Sequence, residues 1–201
     1  MSTVQQVMQH GRAFLKVGAN YAATEEVRMA NTINGIIGMY YRWHWATAAA
    51  TNISISTGIQ DYAPAAGDQN TILAIQNGYL TDASSTYPPL TIEGNFALPV
   101  TSDSGRPYAV GLLSPSLVRF FPSPSSSYTF HWRKHRRPTV FTANTESYDC
   151  PSAFDAVVKA GIVFLLLDYQ DDTRSEGWQK TFYSMLTEQK NIERVTMGRI
   201  R

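Results

Sequence analysis

Cys150 is the only cysteine of the 201-residue chain, and His10, His44, His131 and His135 are its only histidines. A thiol becomes a nucleophile when a base and an orienting group stand beside it. Cys150 adjoins Pro151 at an expected helix start, where the helix dipole lowers a thiol pKa. No local signature surrounds it, so a structural role outweighs a catalytic one. A single cysteine also excludes an intramolecular disulfide and a four-cysteine zinc site. Metal ligation needs three or four convergent ligands. No His-Glu-x-x-His is present, and Pro138 with the strand pattern keeps His131 and His135 off one helical face. Asp168, Asp171 and Asp172 lack the glycine and terminal glutamate of a calcium loop, and read as a solvated helix end. There is no Gly-x-Ser-x-Gly, no phosphate-binding Gly-x-x-x-x-Gly-Lys-Ser/Thr and no Gly-x-Gly-x-x-Gly. The residues therefore predict no catalytic site, no metal, no cofactor and no enzyme.

The densest chemical motif is Arg133-Lys134-His135-Arg136-Arg137, which follows Tyr128-Thr129-Phe130-His131-Trp132. Bases beside aromatics suit single-stranded nucleic acid, and bases alone suit a non-specific phosphate surface. The aromatics at alternate positions read as core. Arg133, Lys134, Arg136 and Arg137 are thus candidates for contact with DNA, with a neighbouring subunit or with solvent. The run belongs to a wider segregation. Residues 45–105 hold Asp61, Asp68, Asp82, Glu93 and Asp103 and no base, whereas residues 106–137 hold six bases and no acid. Solvated loop faces and a surface that meets a charged partner both account for it.

Three zones must position these residues. Residues 1–44 read as helical, with Val4, Val7, Met8 and Leu15 in helical spacing. A second helix starts near Thr24 with Glu25 and Glu26 at its positive end, and its stripe runs Ala30, Ile33, Ile37, Tyr40, Tyr41. Residues 45–140 read as β structure. Ile53 and Ile55 alternate with serines, and Asn77-Gly78 predicts a hairpin turn between 71–75 and 79–80. Residues 107–113, 117–121 and 128–133 predict a three-strand antiparallel meander. Residues 141–201 return to helix. Pro151 opens a segment apolar on all sides from Phe154 to Tyr169, which favours burial against partner chains as well as its own core. A last helix carries Trp178, Phe182, Met185, Leu186 and Gln189. Residues 191–201 lack periodicity and read as a tail, disordered or held by a partner.

The fold class expected is α+β, one domain with a helical bundle from both chain ends (1–44 and 141–201) and an antiparallel β insertion (45–140). Hydrophobic residues make up 43% of the chain, enough for a sizeable core. A net charge of +1 argues against a dedicated polyanion binder. Residues 1–20 lack the order of a signal peptide, and the longest apolar run, Gly161–Leu167, is far short of the roughly 20 residues that span a bilayer. The expectation is a soluble, intracellular protein without a membrane partner.

The order of features resembles the head–tail connector (adaptor, neck or tail tubular) proteins of tailed bacteriophages. The helical start ends in Tyr40-Tyr41-Arg42-Trp43-His44-Trp45. A strand then leads to Gly58-Ile59-Gln60-Asp61-Tyr62-Ala63-Pro64, with Ala63 where the family has Leu. Gly105-Arg106-Pro107-Tyr108 follows, then Leu117 to Pro124, Tyr128 to Trp132, and Cys150-Pro151-Ser152-Ala153-Phe154 opening an apolar helix. Trp178 and Phe182 come in the next helix. The loop from Asp82 to Ser104 has no counterpart in the family. The resemblance implies a virion structural protein of the neck, assembled in the host cytoplasm. It would form a ring, typically of twelve copies, between the portal and a downstream neck or tail protein, with genomic double-stranded DNA passing non-specifically through its channel. It further implies portal contact by Met197, Arg199, Ile200 and Arg201. Phe154, Val158, Val163, Phe164 and Leu167 are the candidates for intersubunit packing. Two other readings compete. One is a non-enzymatic β-type module that binds glycan or protein through Tyr79, Tyr87 and Tyr108, and the other is a hydrolase using Cys150.

Overall fold

The computed structural model describes residues 2–16, 21–94 and 98–198. The class is α+β. In chain order the elements are helices α1 (Val4–Leu15) and α2 (Ala23–Tyr40), then strands β1 (Thr47–Ala49), β2 (Ile53–Ile55) and β3 (Asp61–Tyr62). Helix α3 (Ala66–Gln69) precedes β4 (Ile72–Thr81), β5 (Thr86–Pro89), β6 (Thr91–Glu93), β7 (Ser104–Gly105) and β8 (Ala109–Ser114). Strands β9 (Leu117–Phe121), β10 (Ser123–Pro124) and β11 (Tyr128–Arg136) lead to helices α4 (Asp155–Asp168) and α5 (Ser175–Gly198). Two compact units divide the chain, residues 1–46 with 138–201 and residues 47–137.

In the helical unit α1 begins at a capping box. The Thr3 hydroxyl accepts from the Gln6 N–H at 3.2 Å, and the Gln6 side chain accepts from the Thr3 N–H at 2.9 Å. Helix α2 begins after Ala22, which has no side-chain oxygen to offer, rather than under the expected threonine cap. Glu26 does more than complement the dipole. Only 3% exposed, it pairs with Arg12 at 3.0 Å and accepts from the Asn144 amide at 3.1 Å. A buried carboxylate needs such partners to offset its lost hydration.

Helix α4 lies against α1, α2 and α5, which explains why it is apolar on every side. Phe154, Val157, Val158, Ile162 and Leu166 join Met8, Ile33, Ile37, Trp43 and Phe182 in one core. Gly161 permits the close approach. A Cβ there would stand 2.8 Å from Ile33 Cδ1 and 3.0 Å from Phe182 Cε2. The intersubunit assignment is corrected by this packing. Phe154, Val158, Val163 and Leu167 are at most 4% exposed within a single copy, and of the five only Phe164 is half-buried. Helix α5 also departs from expectation, because residues 191–198 continue it instead of forming an irregular tail. That stretch has no glycine before Gly198 and no proline, and Glu193, Arg194 and Met197 are good helix formers. Helical propensity sustains it without a buried stripe.

The β unit holds a sheet ordered β1-β11-β4-β5, with β2 also paired to β11, and a second sheet ordered β3-β9-β8-β6. Their inner faces share Ile53, Ile55, Leu80, Val118, Phe120, Phe130 and Trp132. Phe120 and Phe130 meet edge to face at 5.0 Å. Most pairs are antiparallel, but β6–β8 and β7–β10 are parallel. Two expectations are corrected. The 107–113 and 117–121 segments do form an antiparallel pair, but the third segment joins the other sheet, where β11 pairs with β1, β2 and β4. Asn77-Gly78 lies inside the ten-residue strand β4 and makes no turn. Gly78 is there for space: a Cβ would stand 2.3 Å from the Phe130 ring. The adjoining register shift opposite Arg133/Lys134 marks a bulge.

Candidate interaction surfaces

Strand β11, with register shifts at Arg133/Lys134 and His135/Arg136, sorts the basic run. Arg133 and Arg137 are exposed, Arg136 is half-buried, and Lys134 and His135 are buried. Lys134 is no surface contact. Its ammonium donates to Asp68 at 2.6 Å and to the Thr71 hydroxyl, with side-chain exposures of 6% for Lys134 and 10% for Asp68. Burial raises the Asp68 carboxyl, but the hydrogen bond from Lys134 and those from Thr51 outweigh it and leave its pKa below the ordinary value. Arg137 donates through Nε to the Ile72 carbonyl at 3.0 Å. Two of the segregated acids, Asp61 and Asp68, therefore find their cations within the β unit. Asp61 stands opposite Arg119 on paired strands and accepts from two of its guanidinium nitrogens, Nε at 2.6 Å and Nη2 at 2.7 Å.

The outer face of the larger sheet forms a cleft of about 430 Å³. Cross-strand register builds it. His131 and Arg133 on β11 face Tyr79 and Asn77 on β4, Ala49 on β1 adjoins Arg133, and Pro89 on β5 adjoins Tyr79. The Tyr79 and His131 rings stack at 5.0 Å and 12°, with His131 Nε2 3.0 Å from the Thr81 hydroxyl. Tyr79 remains 40% exposed. Arg133 Nη2 approaches the Thr47 hydroxyl at 3.4 Å. Asn52 completes the rim. Of the three tyrosines considered as a platform, only Tyr79 lines this cleft. Tyr87 is tied down, because its hydroxyl donates to Asp82, and that bond with the Ser84 and Ser85 amides holds the Asp82 carboxyl down at about 2. Tyr108 is 59% exposed and meets the Phe121 ring edge-on. Sequence reasoning missed Asn77 because it reads as half of a turn, and Asn52 because only the fold brings it to the cleft.

The helical unit offers a second surface. Of the side chains described on α5, only Phe182 and Leu186 are buried, and Ile192 and Val195 stand 52% and 58% exposed. Met197 is half-buried in a groove of about 390 Å³ with Trp45, Phe154 and Ile192, where the Glu193 carboxylate accepts from the His44 backbone N–H. Arg199, Ile200 and Arg201 lie outside the described residues.

Cys150 does not fit the nucleophile reading. It is 2% exposed, and burial pushes its thiol up to about 12, opposite to a helix-dipole effect. Folded protein is therefore expected to leave Cys150 unlabelled by Ellman's reagent at pH 8 over a period in which urea-unfolded protein reacts fully. Prompt labelling of the folded chain would contradict this burial. Among the described residues no group of three or more His, Cys, Asp or Glu could hold a metal ion. None of the described helices is long and apolar enough to cross a membrane. No protein-family model matches the sequence, and no curated protein matches it significantly.

Proposed function

We propose that the chain is a head-to-tail adaptor of a tailed virus, a structural subunit that docks in a ring between portal and tail and continues the DNA channel. A helical bundle built from both chain ends, carrying an antiparallel β insertion, is the framework of this reading. The observation that carries it is α5, a 24-residue helix that gives its own core little more than Phe182 and Leu186 and leaves Ile192 and Val195 in solvent. A long helix so thinly covered suits a partner surface. Since Phe154, Val158, Val163 and Leu167 are already enclosed, the neighbouring-copy contact falls to outward residues of the same unit, Met39 at 71% and Tyr169 at 55% exposure, together with half-buried Phe164. The end of α5, from Ile192 through Met197, is the portal contact in this reading, together with Arg199, Ile200 and Arg201, which lie outside the described residues. The downstream side meets the next neck or tail protein, and duplex DNA passes without sequence-specific contact.

The test is direct. Purified chain mixed with portal rings is expected to sediment with them and to show a ring of density by electron microscopy. Truncation after Arg194 should abolish that binding while the melting curve of the free protein stays unchanged. Ile192→Glu with Val195→Glu should weaken it by roughly 30-fold or more, the cost of a buried apolar anchor of about 2 kcal/mol. Full portal binding by both variants would overturn the assignment.

A further inference from the structure

We propose that the cleft on the outer face of the β1-β11-β4-β5 sheet binds a nucleotide unit, with its base against Tyr79 and its phosphate at Arg133. The adaptor reading is not needed for this, because one copy supplies every residue of the site. Tyr79 is an aromatic platform, held in place by the 5.0 Å stack on His131 and still 40% exposed. A base stacks on such a ring whatever its identity. Arg133, exposed and two residues beyond His131 on the same strand, shares that face. Two residues of strand span about 6.5 Å, the order of reach from a base to its own phosphate. Asn77, directly opposite Arg133, and Asn52 on the rim bring amides that both donate and accept, as base edges require.

The charge pattern selects an anion. No acidic side chain lines the cleft, and Asp61 and Asp68 are already engaged by Arg119 and Lys134. Arg133 has a hydroxyl beside it and no carboxylate within ion-pair distance among the described residues. A neutral sugar would leave this cation without a counter-charge, and the other exposed aromatics that a saccharide platform needs do not reach the cleft. Near-neutral overall charge fits local recognition of one or a few nucleotides better than a broad polyanion track.

The test uses the full chain and a fluorescein-labelled oligothymidine of about twelve nucleotides, followed by anisotropy across a salt series. Saturable binding is expected. Tyr79→Ala should weaken it about ten-fold or more, and Tyr79→Phe should keep it, because stacking needs the ring and not the hydroxyl. Arg133→Gln should weaken it and lower the salt slope by about one phosphate. All three variants should melt with the parent, since the changed side chains are at the surface. Competition identifies the source. Displacement by thymidine monophosphate at equal nucleotide concentration assigns the site to a free nucleotide, and failure to displace assigns it to single-stranded nucleic acid. Three results would overturn the proposal: no saturable binding, binding untouched by both Tyr79→Ala and Arg133→Gln, or displacement by duplex DNA or maltoheptaose as effective as by the unlabelled strand.

Discussion

Asp68→Ala should destabilise the β unit by about 3–5 kcal/mol, because it strands the buried Lys134 ammonium without its counter-charge. The pair is enclosed, with Thr71 and the Thr51 N–H completing its hydrogen bonds, so water cannot readily take the place of the lost carboxylate. Urea unfolding followed by Trp132, the only tryptophan of residues 47–137, measures the loss. The double variant Asp68→Leu with Lys134→Met should recover much of it, since removing both charges also removes the desolvation penalty. Acid should act in the same direction. The carboxyl of Asp68 titrates below its ordinary value of 3.8 in the folded chain, so its contribution is fully present above that value and is lost as the pH falls through the folded pKa. The parent should therefore lose stability more steeply than the double variant below about pH 4. A single variant as stable as the parent at pH 7 would show that the pair is not enclosed.

Trp43→Ala should cost the helical unit about 3–5 kcal/mol, the range for emptying a large aromatic site in a core. The ring is 0% exposed, lies 4.9 Å from Phe154 and 5.1 Å from Tyr41 in edge contacts, and donates through Nε1 to the Ile37 carbonyl at 2.5 Å. Its removal leaves a cavity and takes the partner from that carbonyl. Trp43→Phe keeps most of the volume and should recover roughly half of the loss. Hydrogen exchange along α2 and α4 is the readout. Protection in those helices unchanged by Trp43→Ala would be incompatible with the packing described.

Local periodicity made much of the fold legible. Tyr128, Phe130 and Trp132 at alternate positions are buried, as are Ile53 and Ile55. Val4, Val7, Met8, Ile33 and Ile37 hold the helical core faces. What was not legible depends on partners distant in sequence. Asp61 meets Arg119 across 58 residues and Asp68 meets Lys134 across 66, so part of a segregated charge pattern that suggests intermolecular attraction is satisfied inside one copy. Asn77-Gly78 carries a strong turn signal, yet Gly78 is required beneath Phe130, and that tertiary demand overrides local preference. The apolar girdle of α4 is equally ambiguous from sequence, because a helix flanked by three neighbours of its own chain and one covered by sister copies show the same pattern. Arg133, Asn77 and Tyr79 fall into one cleft only through the β4–β11 register.

The core of residues 1–46 and 138–201 has a consequence for how the molecule is made. Val4, Met8, Ile33 and Trp43 are enclosed by Phe154, Ile162, Leu166 and Phe182, which leave the ribosome more than a hundred residues later. Residues 47–137 carry a core of their own and emerge in between. Domains generally form as they are synthesised. During translation the β portion is therefore able to settle first, while α1 and α2 wait with their apolar faces uncovered. That interval is when the nascent chain is most open to chaperones, and to premature association with other copies.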